Sequence, residues 1–439
     1  MMTLSDLQHW CWRDAAPFSL DMSEGRLVAG DILRHLPGKR LVVQGQWEGQ
    51  KVIAKLFFND SKAAGRHEYT LLETLAAQGV CVPEALAVLE QDNHTVLLME
   101  PVSGAGLEAL LADSLDLPLL RALLDTVWRM YEAGWIQTDL HLGNFLVRDD
   151  GVIVCLDAGA IKPVPSQGAA ALADNLALMC AQAALALQAS LIQQCLDFMK
   201  HHGVDSRDFE KRCRHALHRR MVQADRKSQR NCSAIRVEST KDGVVYSDRM
   251  DRGATGSWLA YCEKPEALPL LKKGSRISVY ANEHWVVKHY REVGLKARLK
   301  QKMKCSRGMI SWRQGWLWAL LGIPTPRPVM LVEFIRGERA GSSVIVFPKL
   351  ESIALSQLME QQRSRAQGLA ENVRRWLEHF LWAGISHGDM KAQNILVDEA
   401  DRISFIDLDN AGFSVRPRQV QEKNQKDRER FEKNWEQFC

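Results

Sequence analysis

None of the ten cysteines stands in a Cys-x-x-Cys pair or another metal-ligand spacing. That pattern indicates neither a disulfide framework nor a zinc site, and the chain reads as cytosolic with reduced thiols. The N-terminal residues lack a basic segment followed by an apolar core, so no signal peptide is expected. No low-complexity tract interrupts the 439 residues. A Walker A sequence is missing, which argues against a P-loop enzyme, and no full Gly-x-Gly-x-x-Gly occurs. The longest uncharged stretch, 175–196, contains Asn175, Gln182, Gln188, Gln193 and Gln194. A membrane span needs ~20 predominantly apolar residues, so this stretch reads as a core helix. The formal net charge of +4 is too small to imply a nucleic-acid partner.

What is there is one short polar sentence written twice. Asp139-Leu140-His141-Leu142-Gly143-Asn144-Phe145-Leu146-Val147 is followed by Asp157. Asp389-Met390-Lys391-Ala392-Gln393-Asn394-Ile395-Leu396-Val397 is followed by Asp407. The copies lie 250 residues apart, with five residues from Asp to Asn and thirteen from Asn to Asp in each. An Asp that aligns a hydroxyl, then an Asn and an Asp that ligate magnesium on ATP, form the polar core of a protein-kinase-like phosphotransferase. A repeat at a single offset predicts an α+β chain of two tandem kinase-like domains. Each would have a small β-rich N-lobe and a helical C-lobe, with the boundary near 230 (1–230 and 231–439).

The flanking sequence supports that layout. Arg26–Leu33, Leu41–Trp47 and Lys51–Phe58 alternate apolar and polar residues, as the hairpins of an N-lobe do. Glu68–Leu75 has helical spacing and stops at Gly79. Val96–Glu100 reads as a strand into a hinge at Gly104 and Gly106, and Leu119–Tyr131 as an amphipathic helix. In the second half Ile277–Ala281 and Trp285–Lys288 form a hairpin. Gly322-Ile323-Pro324 echoes Gly79-Val80-Cys81, Val344–Phe347 is a strand, and Leu369–Phe380 a helix. Residues 416–439 carry both charge signs densely and read as a solvated helix or frayed tail.

Within this frame each residue type has a chemical task. Lys55 and Lys288, each inside an apolar strand, would hold the nucleotide α- and β-phosphates. Glu68 would pair with Lys55, with Glu73 a weaker candidate. The corresponding stretch of the second half, Ser311-Trp312-Arg313, offers no acid. Asp139 and Asp389 would accept or align the substrate hydroxyl proton. Asn144, Asp157, Asn394 and Asp407 supply the oxygen ligands that magnesium prefers. Asp409 neighbours Asp407, but the register set by Asp157 selects Asp407. His387 precedes the second catalytic aspartate, where the first loop has Gln137. Gly38 and Gly274 stand at the phosphate turns.

With these residues in place, both halves resemble the lipopolysaccharide kinase family, the Kdo and heptose kinases of the WaaP and InaA type. The resemblance rests on the His-Gly-Asp-x-x-x-x-Asn-Ile-Leu-Val loop at 387–397, on Phe405-Ile406-Asp407-Leu408-Asp409, and on Gly-Ile-Pro-Thr-Pro-Arg-Pro at 322–328. The first half also looks like aminoglycoside- and choline-kinase relatives. The likeness implies ATP- and magnesium-dependent phosphorylation of an inner-core sugar hydroxyl on a lipid-linked acceptor, at the cytoplasmic face of a Gram-negative inner membrane. A kinase for a small-molecule or protein acceptor is the alternative, as is a tandem in which one pseudokinase domain regulates or binds. Residues 211–230 and 288–307 each carry eight Lys or Arg against one acid. These runs read either as solvated helix faces or as contacts for an anionic lipid-linked substrate and membrane surface. Trp312, Trp316 and Trp318 read as core or as membrane-interface residues.

Overall fold

The structure is a computed structural model that describes residues 3–8, 17–36, 38–91, 93–111, 116–165, 168–232, 234–249, 255–291, 305–414 and 416–438. Lys296, Arg298, Lys300, Lys302 and Lys304 of the second basic run lie outside these residues. The chain separates into two compact units, Met1–Gln182 with Ser190–Cys213 and Ala183–Ala189 with Arg214–Cys439.

Each unit is built on an antiparallel sheet in which a shared order of five strands can be read. In the first the order runs Gly25–Leu36, Arg40–Trp47, Gln50–Phe58, His94–Met99, Ala85–Gln91, with Phe18–Met22 added outside Gly25–Leu36. In the second it runs Leu270–Lys273, Ile277–Ala281, Trp285–Tyr290, Ser343–Pro348, Met330–Phe334. Here the additions, Gly243–Asp248 and Ile235–Ser239, extend the opposite edge. Period-two alternation explains how each sheet packs. Val52, Ala54 and Leu56 point into one core with Leu41, Val43, Val96 and Leu98, so Lys55 between them points the other way. The second sheet is apolar on both faces. Val287, Met330, Val332, Val344 and Val346 pack with Trp258 of the helix Thr255–Glu263. Tyr290, Leu331 and Ile345 pack on the other face with Met309 and Trp312.

The lysine strand is central in both sheets. Lys55 sits opposite Val42 and Leu97, and Lys288 opposite Val279 and Ile345. Corresponding helices, Lys62–Ala77 and Arg307–Leu320, pack on the two sheets, and the two end identically. Gly79 (φ +77°) and Gly322 (φ +66°) adopt the left-handed conformation that only glycine takes at little cost. Val80 N donates to Leu75 O, and Ile323 N to Trp318 O. Two residues past each glycine the chain accepts a bond from the strand that leads to Asp157 or Asp407, Cys155 N to Cys81 O (2.9 Å) and Phe405 N to Pro324 O (2.8 Å).

The C-lobes open with amphipathic helices that bury Leu120, Leu123, Leu124 and Val127 in Leu117–Glu132, and Leu369, Val373, Leu377 and Phe380 in Arg363–Ala383. Trp312 and Trp318 are fully buried. Trp312 donates Nε1 to Ser228 O (2.8 Å), and Trp318 packs on Phe380, His387 and Phe405. Of the two readings of the tryptophans, the core is the correct one for these two. The uncharged stretch divides between the helices Gly168–Gln182 and Leu185–His201, and no described helix is long and apolar enough to cross a membrane.

The C-terminal segment corrects the expectation of a solvated or frayed tail. Pro417–Phe438 is one helix that buries Val420, Asn424, Asp427 and Phe431. Those positions recur at spacings of four, three and four, the stripe of a helix packed along one face.

Candidate active sites

In the first domain the sheet, the overlying helix and the metal loop bring three charges together. Lys55 Nζ lies 2.5 Å from Glu68 Oε1 and 3.7 Å from Asp157 Oδ1. Glu68 is 1% exposed, whereas Glu73 is on the solvent face. Arg34 approaches the other Asp157 oxygen at 3.9 Å. Asn144 donates Nδ2 to Asp139 O (2.8 Å), which commits the amide nitrogen to the loop and leaves the amide oxygen for a ligand role. The Asp139 carboxylate itself is 60% exposed, with His141 at 3.9 Å. Gln137 is buried and donates Nε2 to Asp157 O (3.0 Å), while Asn175 donates to Gln137 O. A neutral amide here bonds to the backbone of the segment that carries Asp157.

The second domain gathers the matching residues with different partners. Lys288 Nζ lies 3.0 Å from Asp407 Oδ1. Burial works against the Lys288 ammonium, but Tyr290 and Asp407 outweigh it and hold its pKa above the ordinary lysine value. Burial likewise pushes the Asp407 carboxyl up, yet Lys288 beside it leaves it below the usual carboxylate range. Asn394 donates to Asp389 O (2.9 Å) and Oδ2 (3.2 Å). His387 is fully buried, which lowers its pKa and keeps the ring neutral. Its Nε2 faces Ile406 O at 3.0 Å, and Nδ1 accepts from Asp389 N at 3.3 Å. These partners assign the proton to Nε2.

Three residues that the sequence reading missed complete the second loop, all from the C-terminal helix. Asp427 accepts from the backbone N–H groups of His387 (2.8 Å), Gly388 (3.0 Å) and Met390 (3.4 Å). Arg430 lies 3.3 Å from Asp389 Oδ1 and donates to Gly388 O (2.7 Å). Asn434 accepts from Ala392 N (3.3 Å). Polar residues inside an otherwise apolar helical stripe were the available signal. With Lys391 Nζ at 2.8 Å from Asp389 Oδ2, two cations flank the loop aspartate. Gly388 itself (φ +82°) has no room for a side chain, since a Cβ would fall 2.4 Å from Asn410 O. Gly388→Ala is expected to lower stability by about 1 kcal/mol or more, read as a drop in melting temperature, because strain and clash coincide.

Among the described residues no group of three or more His, Cys, Asp or Glu side chains could hold a metal on its own. One Asp and one Asn per domain would instead suit a hard ion that also takes oxygens from a bound nucleotide. Asp157 Oδ1, buried without a hydrogen-bond partner, fits that use.

Residues 270–439 match the model of the lipopolysaccharide kinase (Kdo/WaaP) family, and residues 68–189 match the ABC1 atypical kinase-like domain. The first span runs from the lysine hairpin through the C-terminal helix. The second takes in Glu68, Asp139, Asn144 and Asp157. No curated protein matches the chain. The lysine–aspartate–asparagine–aspartate set recurs in each unit on a matching sheet and loop, so the chain carries two kinase-like domains in tandem and is an ATP-dependent phosphotransferase.

Proposed function

We propose that the chain transfers the γ-phosphoryl group of magnesium-bound ATP to a sugar hydroxyl of the lipopolysaccharide inner core, a heptose or Kdo. The observation that carries this reading is the pair of cations, Lys391 and Arg430, beside Asp389 within the span matched by the lipopolysaccharide kinase model. Kdo carries a carboxylate and gives the inner core around a heptose its negative charge, so cations beside the hydroxyl-accepting carboxylate suit an acceptor in that setting. Lys288 would hold the nucleotide phosphates, and Asp389 would align the acceptor hydroxyl and take its proton. Asn394 and Asp407 would ligate the ion, which when bound neutralises the charge that builds on the transferred group. Lys55, Glu68, Asp139, Asn144 and Asp157 would hold a second nucleotide in the first domain.

The second domain would carry most of the turnover. Its loop aspartate is tethered by Asn394, Lys391 and Arg430, while that of the first is largely exposed. The acceptor would be lipid-linked at the inner membrane, with peripheral attachment through Arg214, Arg219, Arg226 and Lys227, all exposed on the helix Phe209–Lys227. ATP turnover should require a divalent ion and vanish with chelator, and labelled phosphate should appear in purified core oligosaccharide. Asp389→Asn should lower transfer more than Asp139→Asn. Transfer to protein or small-molecule acceptors but never to core sugar overturns the acceptor, and a larger loss from Asp139→Asn reverses the division of labour.

A further inference from the structure

The two domains solve the charge balance around the strand lysine with the acid on opposite sides of one contact. The matched helix caps and strand bonds fix the register. Glu68 stands eleven residues before Gly79, and the residue eleven before Gly322 is Ser311. Asp157 and Asp407 each lie two residues past the amide that bonds to the post-helix segment, which places Gly159 opposite Asp409.

In the first domain those two positions touch. A Cβ on Gly159 would fall 3.1 Å from Glu68 Oε2, so the glycine leaves space for the helix carboxylate. In the second domain the helix residue is the buried Ser311, whose hydroxyl meets Tyr290 OH at 3.1 Å. The loop residue is Asp409, 2% exposed. Arg307, one turn before Ser311 on the same helix, grips Asp409 Oδ2 at 2.6 Å. Glutamate with glycine has become serine with aspartate.

We infer that Asp409 does in the second domain what Glu68 does in the first: it is the buried anion that positions the strand lysine for the nucleotide. The lysine's own contacts agree. Lys55 is held by Glu68 at 2.5 Å and by Asp157 at 3.7 Å. Lys288, with no helix acid, shifts onto Asp407 at 3.0 Å, and Asp409, two residues further along the same loop, is held by Arg307. Arg307 locks Asp409 to the helix, so loop and helix stay joined by an ion pair whose acid now comes from the loop. Asp409 is thus a positioning residue that acts through Lys288 and Asp407. The inference rests on the reading of the second domain as an ATP site.

Relocating the acid tests it. In the full chain with the first site silenced by Asp139→Asn, four forms are compared for ATP turnover and for ATP affinity: unchanged, Asp409→Gly, Ser311→Glu, and both together. Asp409→Gly removes the anion and should lower kcat/KM roughly tenfold or more, and Ser311→Glu, which crowds a second carboxylate into the occupied pocket, should also lower it. The double variant restores the first domain's arrangement, with the helix carboxylate one turn from Arg307, and should recover most of the loss. A role in folding alone would make the two losses add. Should Asp409→Gly fail to fold, Asp409→Asn keeps the volume without the charge and should show the same loss. Parent-like turnover in both Asp409 variants, or a double variant no better than Asp409→Gly, overturns the inference. If the unchanged form turns over no ATP, the reading of the second domain fails instead, and the affinities of the four forms then decide the positioning role.

Discussion

Asp407→Asn should lower phosphoryl transfer by the second site roughly 10²–10³-fold, the scale seen when one preorganised charge-stabilising group is removed. The carboxylate faces Lys288 at 3.0 Å and stands where an ion ligand is required, so a neutral amide weakens both tasks together. Asn394→Ala should act on the same scale by removing an oxygen donor and both bonds to Asp389. Neither side chain fills the apolar core, so thermal unfolding should shift little while turnover collapses. Steady-state kinetics beside a melting curve separates these effects. Unchanged activity in a chain lacking both Asp157 and Asp407 would refute the assignment of the metal ligands and, with it, the kinase mechanism.

Asp427→Ala should be as damaging by another route. Its buried carboxylate receives three backbone N–H groups of the catalytic loop. Their loss leaves buried donors without partners at a cost on the order of 2–5 kcal/mol, read from chemical denaturation. Turnover should fall with stability, since His387, Gly388 and Met390, the neighbours of Asp389, are the residues released. Asp427→Asn keeps one acceptor oxygen and should lose less. A loop as stable and active in Asp427→Ala as in the parent would show the contacts to be incidental.

These results bear on what the sequence could disclose. The repeated Asp, Asn and Asp were legible because both halves keep them at the same spacings, as a kinase-like phosphotransferase would require. The hairpins, the helix ending at Gly79 and the Gly322–Pro324 segment were legible because alternation and glycine caps are local signals. The role of the C-terminal helix was not. Asp427, Arg430 and Asn434 meet the loop across about 40 residues, and no local rule pairs a charged helix with a distant backbone. Charge density there suggested solvent, although the stripe from Val420 to Asn434 already had helical period. The partner of Lys288 was hidden for a related reason. The helix carries no acid at the position of Glu68, and Asp407 reaches Lys288 from the loop.

The bonds from Cys155 N to Cys81 O and from Phe405 N to Pro324 O have a mechanical consequence. Each pins the segment leaving the N-lobe helix to the strand that ends in the metal loop. If the lobes of a domain rock, this bond is a natural pivot, as a rivet is for a pair of jaws. Motion is smallest at the rivet and grows with distance from it. Asp157 and Asp407, two residues away, would then travel little. Nucleotide could then enter and leave while Asp157 and Asp407 keep their place beside the strand lysines.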